Sequence, residues 1–164
     1  MGMNMKFQCS FPLVFLATTT TLLFGSQATA KVSDICSVTD YKPLCRATLK
    51  GISDPYKALE AAIDQAIIKT RHAYYLSRTM GSDQNIDICK EMFDSGVTDL
   101  ESSLKALKVN DKGTLNSQLS AVISYYSTCD DTYSEAGETN PLTKVTGVLT
   151  HMVANCLALA EKIH

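Results

Sequence analysis

The sequence lacks the short motifs that mark the commonest enzyme active sites. It contains no His-Glu-x-x-His, no Cys-x-x-Cys, no Gly-x-Ser-x-Gly and no glycine-rich phosphate loop. Its histidines, His72, His151 and His164, lie far apart in the sequence, and a lone histidine lacks the partner that acid–base catalysis requires. We therefore expect a protein that is not an enzyme and that binds no metal or cofactor.

The sequence also lacks a cluster of positive charge. Its 15 Lys and Arg residues nearly balance its 17 Asp and Glu residues, which gives a formal net charge of −2. A nucleic-acid-binding domain would show clustered lysines and arginines, and no basic amphipathic stretch suited to an anionic membrane occurs. Neither nucleic acid nor a membrane is therefore expected as a partner.

A run of apolar residues long enough to cross a bilayer is missing as well. The apolar stretch at residues 11–24 is interrupted by proline and threonine and falls short of the ~20 residues that a spanning helix needs. With Lys6 before it and Ala28-Thr29-Ala30 after it, the stretch fits a secretory signal peptide. We expect cleavage after Ala30, which leaves residues 31–164 as one secreted domain.

Residues 31–164 show the period of α-helices, and the alternating pattern of a half-buried strand is nowhere sustained. The first long helix should begin at Asp54-Pro55, a cap followed by a first-turn proline, and end near Gly81. The fourth should begin in the same way at Asn140-Pro141. We predict an all-α fold, an antiparallel up-down-up-down four-helix bundle over residues 53–164. Its apolar seams run from Leu59 to Tyr74, Cys89 to Leu107, Leu115 to Tyr133 and Leu142 to Ile163.

Two cysteines mark the register of the second and third bundle helices. The break between these helices, at residues 109–113, is short enough to force an antiparallel pair. Folding the chain back at Val109 places Cys89 level with Cys129, and both lie on apolar seams. A disulfide needs Cα atoms within ~7 Å, which this register supplies. We therefore pair Cys89 with Cys129.

Three further cysteines follow residue 30. Cys36 and Cys45 flank a turn-rich stretch, where a local bridge would hold a hairpin of short helices at residues 31–52 that is too short to be stable alone. Cys156 lies on the apolar seam of the last helix. We expect it to be a buried free thiol, the alternatives being an intermolecular disulfide or a reactive thiol, although no neighbouring cation supports reactivity.

The cysteines belong to a series of short motifs. The order is Ile35-Cys36 with Leu44-Cys45, Cys89-x3-Phe93-x2-Gly96-x3-Leu100, Leu119-Ser120-Ala121, Thr128-Cys129-Asp130, and Asn155-Cys156-Leu157. In this order and combination the motifs resemble those of the plant invertase and pectin methylesterase inhibitor family. The resemblance implies a four-helix bundle with an N-terminal helical hairpin and disulfides joining the first to the second and the third to the fourth cysteine of residues 31–164. It also implies an inhibitor of carbohydrate-active enzymes of the plant cell wall or vacuole.

Polar residues form a stripe on each of the two middle bundle helices. One stripe is Glu91, Ser95, Thr98 and Ser102, and the other is Ser124, Thr128 and Asp131. Because Cys89 opposes Cys129, both stripes lie at the same end of the bundle. The pattern alone is that of solvated helix faces. The family resemblance implies more, because Glu91, Thr128 and Asp131 match motif positions that contact a target enzyme.

The chain departs from the family pattern at residues 123–127, where Ile-Ser-Tyr-Tyr-Ser replaces small or polar residues. At least one tyrosine should reach the surface because adjacent helix positions point ~100° apart. Tyr125 could anchor a partner or block the usual contact.

The resemblance favours pectin methylesterase as the partner. The Pro-Lys-Phe tripeptide of some invertase inhibitors is absent, and a fifth cysteine recurs in some pectin methylesterase inhibitors. An acid invertase is the alternative target, and a secreted helical module without a target is the third possibility. We expect a protein of the apoplast and cell wall, or of the vacuole for an invertase inhibitor, acting as a monomer, with a dimer as the alternative.

Overall fold

The structure, a computed structural model, describes residues 34–163, so the expected signal peptide at residues 1–30 lies outside the described residues. The described chain forms one short 3-10 helix and five α-helices. The 3-10 helix spans Ile35–Val38, and the α-helices are α1 (Lys42–Leu49), α2 (Pro55–Arg78), α3 (Gln84–Lys108), α4 (Lys112–Glu135) and α5 (Thr143–Ala160).

The four long helices, α2 to α5, each pack against the next in sequence, and α5 closes the ring against α2. Hydrogen bonds join opposite ends of neighbouring helices. The Tyr56 hydroxyl at the start of α2 donates to the Leu107 carbonyl at the end of α3, at 3.1 Å. Lys112 Nζ at the start of α4 donates to the Ile163 carbonyl beyond α5, at 2.6 Å. The predicted antiparallel all-α bundle is therefore confirmed.

Aspartates cap three of the four long helices. The Asp54 carboxylate accepts the backbone N–H of Lys57 at 2.8 Å, and Pro55 is the first residue of α2, as predicted. Asp83 caps α3 and Asp111 caps α4 in the same way. Each cap satisfies a backbone donor that the helix itself leaves unpaired.

Two predicted helix boundaries are wrong by a few residues. Helix α2 ends at Arg78, and Gly81, three residues later, adopts the positive φ of +99° in the loop instead of stopping the helix. Helix α5 begins at Thr143, so Pro141 is not its first residue. The reason is that the side chain of Asn140 serves another purpose: it accepts the Leu142 N–H at 2.7 Å and donates to helix α4.

A buried tyrosine fills the centre of the bundle. Tyr126 is fully buried, and its hydroxyl shares a hydrogen bond of 2.5 Å with Thr70 Oγ1 on α2. Gly96 of α3 packs close to the ring, and a Cβ at that position would lie 3.4 Å from Tyr126 Cε1. Burial raises the pKa of Tyr126. Gly96 of the cysteine motif therefore lies in the packed core beside Tyr126.

Both predicted disulfides are present. Cys36 and Cys45 are bonded with their Cα atoms 5.7 Å apart, and Cys89 and Cys129 with theirs 4.6 Å apart. The second bond joins the first turns of α3 to the last turns of α4 inside the core. Cys156 of α5 is a buried free thiol, and burial raises its pKa to about 12.

Cys156 should not react with a thiol reagent while the protein is folded, because it is inaccessible and almost no thiolate exists near neutral pH. With the chain of residues 31–164, Ellman's reagent should report no free thiol in buffer and one per chain in guanidinium chloride. Rapid reaction in buffer would show that the last helix opens readily.

The 3-10 helix and α1 pack against α2 and α5 at the end of the bundle remote from Cys89 and Cys129. Asn155 of α5 holds this hairpin in place, donating to the Tyr41 carbonyl and accepting the Tyr41 N–H, both at 3.1 Å. The Tyr41 ring also stacks on His151, with ring centroids 3.6 Å apart. The hairpin is therefore fixed to the bundle by polar and aromatic contacts as well as by its disulfide.

At the opposite end, Asp130 connects α4 to the loop before α5. Its Oδ1 accepts from Asn140 Nδ2 at 2.5 Å and from Thr146 Oγ1 at 2.8 Å, and both donor residues are buried. The motif residue Asp130 thus holds the start of α5 against α4, whereas the next residue, Asp131, is exposed.

Asp130→Ala should lower the free energy of unfolding by about 1–3 kcal/mol, because it removes the carboxylate that accepts from the buried Asn140 amide. Asp131→Ala is the matched control and should cause no measurable change. Urea denaturation followed by circular dichroism compares the two variants, and equal effects would contradict the structural role of Asp130.

Candidate functional site

The seven predicted binding residues all lie outside the buried core. Ser95 and Tyr125 are half-buried, and the other five, Glu91, Thr98, Ser124, Thr128 and Asp131, are exposed. Because α3 and α4 pack directly against each other, the two polar stripes lie on neighbouring helices that a groove separates. We name the surface formed by these seven residues and Ser102 the α3/α4 face.

The α3/α4 face extends from the buried disulfide toward the middle of the helix pair. Glu91 is two residues from Cys89 and Thr128 is adjacent to Cys129. With a rise of about 1.5 Å per residue, both side chains start within about 3 Å of the disulfide along the helix axes. The covalent bond therefore holds these two residues at the same level on neighbouring helices.

Three hydroxyl groups of this face donate to backbone carbonyls of their own helices. Thr128 Oγ1 donates to the Ser124 carbonyl at 2.9 Å, Thr98 Oγ1 to Asp94 at 3.2 Å, and Ser124 Oγ to Ser120 at 3.4 Å. These bonds fix the hydroxyl oxygens, which keep lone pairs free to accept hydrogen bonds from a partner. The face therefore presents hydroxyl oxygens in fixed positions as hydrogen-bond acceptors.

Tyr125 spans the groove between the two stripes. Its hydroxyl donates to Asp99 Oδ2 on α3 at 3.1 Å. The Gln118 amide, in the orientation that satisfies both groups, donates to the two Asp99 oxygens at 2.7 and 3.0 Å. The hydrogen bond to Asp99, together with burial, raises the pKa of Tyr125. Tyr125 therefore joins the two helices across the groove.

A second polar bridge joins α3 to the end of α4. Asn85 Nδ2 donates to Glu138 Oε2 at 3.0 Å, and Thr132 Oγ1 donates to Asn85 Oδ1 at 3.2 Å. Sequence reasoning did not predict this bridge or the hydrogen bonds of Asp99 to Tyr125 and Gln118. The register set by Cys89 and Cys129 could have found the bridge, because Asn85 lies one helical turn before Cys89 and Thr132 nearly one turn after Cys129.

The disulfide half of this helix pair is strongly acidic. Residues 113–143 contain no Lys or Arg but four acidic residues, Asp130, Asp131, Glu135 and Glu138. On α3, Lys90 bonds to Asp87 at 2.8 Å and to the Gly81 carbonyl at 2.7 Å. The exposed carboxylates of Glu91 and Asp94 are left without an ion-pair partner in the described residues. The face therefore favours a partner that presents cations or hydrogen-bond donors.

Within residues 34–163, no group of three or more His, Cys, Asp or Glu side chains is arranged to hold a metal ion. Among the helices of that same range, none combines the length and apolar character needed to cross a membrane.

A protein-family model described as plant invertase/pectin methylesterase inhibitor matches residues 30–159. The chain belongs to this family. The match includes both disulfides, the whole α3/α4 face and most of α5, and it confirms the resemblance inferred from the cysteine motifs.

Curated relatives from Arabidopsis thaliana are similar to this chain. It is 33% identical over 155 residues to pectinesterase/pectinesterase inhibitor 28 and 30% identical over 155 residues to pectinesterase/pectinesterase inhibitor 21. Each alignment covers 80% of this chain, but only 21% and 23% of the two relatives. The chain thus spans about a fifth of the length of these relatives.

Two solved structures have the same fold. A crystal structure of mutant form A of a pectin methylesterase inhibitor from Arabidopsis superposes with a TM-score of 0.70, covering 81% of this chain and 97% of that one. A crystal structure of a pectin methylesterase inhibitor from Arabidopsis thaliana gives 0.63, with coverages of 84% and 98%. Because both are only 15% identical in sequence, the likeness establishes the fold.

Proposed function

We propose that this protein is a secreted inhibitor of a plant pectin methylesterase that binds its target reversibly, one to one, and covers the pectin-binding cleft. The family match over residues 30–159 carries this proposal. Relatives named pectinesterase/pectinesterase inhibitor and the likeness to pectin methylesterase inhibitor structures support the choice of target. An acid invertase is the alternative target, because the matched family includes inhibitors of both enzymes.

The proposed contact surface is the α3/α4 face. From Glu91 to Ser102 this face extends about 17 Å along α3, and α4 runs beside it. A disulfide, the Tyr125–Asp99 bond and the Asn85 bridge hold the two helices together. A rigid convex helix pair can enter a cleft at little cost in conformational entropy, because its backbone is already ordered before binding.

The charge of this face also suits the proposed target. A cleft that holds a polymer of uronic acids must offer cations or hydrogen-bond donors to carboxylates and sugar hydroxyls. The α3/α4 face offers the same chemical groups from the side of the inhibitor, carboxylates at Glu91 and Asp131 and hydroxyls at Ser95, Thr98 and Thr128. These groups would compete with the polymer for the same donors.

Enzyme inhibition tests the proposal directly. Residues 31–164 are added in increasing amounts to a plant pectin methylesterase and to an acid invertase, and methanol release and sucrose cleavage are measured. Methanol release should fall to zero near one equivalent of inhibitor per enzyme. With less inhibitor than this, a higher pectin concentration should restore methanol release. Inhibition of invertase alone would favour the alternative target, and no effect on either enzyme would refute both.

Secretion to the apoplast is part of the same proposal. A fluorescent protein fused to the C-terminus of the full chain should accumulate in the cell wall of plasmolysed plant cells. Fluorescence confined to the cytosol would contradict it, whereas fluorescence in the vacuole would favour the invertase alternative.

A further inference from the structure

A long groove lies on the other side of the bundle, between α1, α2 and α5. Its larger part has a volume of about 600 Å³ and its smaller part about 230 Å³, and Lys69 and Val148 line both parts. The two parts therefore form one continuous surface depression, which we name the basic groove. It is remote from the α3/α4 face because α2 and α5 lie across the bundle from the α3–α4 pair.

The floor of the basic groove is aliphatic and partly open to solvent. Val148, which lines both parts of the groove, is 48% exposed. An exposed apolar surface with a polar rim often marks a site that binds another molecule. The remaining apolar lining residues are Leu44, Ala47, Leu49, Ile52, Val145, Leu149 and Met152.

The rim of the basic groove carries cations without counter-charges. Lys50, Lys69 and Lys144 line it together with His72. The ion pairs of the described residues involve Arg46, Arg71 and Lys90, and so none of the three rim lysines.

Carboxylates are also scarce on the elements that form the walls. Helices α1 and α5 contain no Asp or Glu. On α2, the nearest acidic residue before Lys69 is Asp64, which points about 140° away around the helix axis. The positive charge of the rim is therefore not neutralised by the groove's own walls.

We infer that the basic groove binds a linear acidic polysaccharide. In such a polymer each sugar ring offers apolar C–H faces to the aliphatic floor and a carboxylate to the rim lysines, so one ligand satisfies both features. From Lys144 to Met152 the groove runs about 12 Å along α5, which suits an extended chain. The choice of a polyuronate over an acidic peptide rests on the proposed function, because the proposed target acts on a polymer of this kind.

The two surfaces would act together. With the polymer in the basic groove and the enzyme on the α3/α4 face, the inhibitor could hold both at once. Binding of the polymer would keep the inhibitor on the substrate of its target without weakening inhibition.

Isothermal titration calorimetry at low ionic strength tests this inference, with residues 31–164 and a de-esterified oligogalacturonate as the probe. The wild-type chain should bind the oligomer. A triple variant that combines Lys50→Gln, Lys69→Gln and Lys144→Gln should have an affinity lower by about tenfold or more. The matched control combines Lys105→Gln, Lys108→Gln and Lys162→Gln, exposed lysines outside the groove with the same loss of charge. The control should keep the wild-type affinity to within about twofold.

Two further probes test the ligand class. A fully methyl-esterified oligomer, which lacks the carboxylates, and polyglutamate, which lacks the sugar rings, should both bind much more weakly. The inference is overturned if the wild-type chain does not bind, if both triple variants lose affinity equally, or if either further probe binds as tightly. The calorimetry contains no target enzyme. A lack of polysaccharide binding would therefore not contradict the proposed inhibition, and a lack of inhibition would not contradict polysaccharide binding.

Discussion

Replacing Thr128 with arginine should abolish inhibition of pectin methylesterase and leave the fold intact. Thr128 is exposed, adjacent in sequence to the Cys129 half of the disulfide and beside the groove that Tyr125 spans. An arginine there would place a long cation between the inhibitor and a surface expected to present cations or donors. Steric overlap and like charge at the centre of an interface typically cost enough to weaken binding by about 100-fold or more.

The Thr128→Arg variant requires a control with the same gain of volume and charge. Ser53→Arg serves, because Ser53 is an exposed small residue in the loop before α2 and lies outside both the α3/α4 face and the basic groove. Inhibition constants from methanol release and thermal melting curves are measured for both variants. Melting should be unchanged in both, and only Thr128→Arg should lose inhibition. Equal inhibition by the two variants would place the interface elsewhere.

Removing the Cys89–Cys129 disulfide should have the largest effect on stability. The bond closes a sequence separation of 40 residues, whereas the Cys36–Cys45 bond closes one of 9. The chain-entropy model gives about 4 kcal/mol for the larger loop and about 2.5 kcal/mol for the smaller one. Replacing Cys89 and Cys129 by alanines should therefore lower the free energy of unfolding more than replacing Cys36 and Cys45.

The two disulfide variants should differ more clearly in function. Without the Cys89–Cys129 bond, the ends of α3 and α4 lose the link that sets the level of Glu91 and Thr128. The Cys36→Ala and Cys45→Ala pair, remote from the α3/α4 face, should keep the inhibition constant under conditions where it remains folded. Guanidinium chloride titration and methanol release measure the two effects. If only the Cys36 and Cys45 variant inhibited the enzyme more weakly, the proposed role of the Cys89–Cys129 bond in inhibition would be contradicted.

The arrangement of the bundle could be predicted because its helices have apolar seams of regular period. Even the pairing of Cys89 with Cys129 followed from the short break at residues 109–113, since a short connection forces neighbouring helices to be antiparallel. Helix boundaries were less predictable. The start of α5 was misplaced because Asn140 makes tertiary hydrogen bonds to α4, and such partners cannot be inferred from a local capping pattern.

The polar contacts of the candidate site were the least predictable part. Tyr125 was equally compatible with an anchor and an obstruction, and its bond to Asp99 depends on the relative rotation of α3 and α4. The bonds of Asn155 to Tyr41 join residues 114 positions apart. Periodicity identifies which residues avoid the core, but the partner of a polar side chain depends on packing that periodicity does not specify.

Photo-cross-linking from the α3/α4 face tests the central claim most directly. A photoreactive phenylalanine analogue replaces Ser95 in one variant and Ala47 in another, and each is irradiated with pectin methylesterase. The Ser95 variant should give a covalent one-to-one adduct with the enzyme, at peptides that line its pectin-binding cleft, and the Ala47 variant should give none. An adduct formed only from position 47 would show that the enzyme binds the opposite side of the bundle.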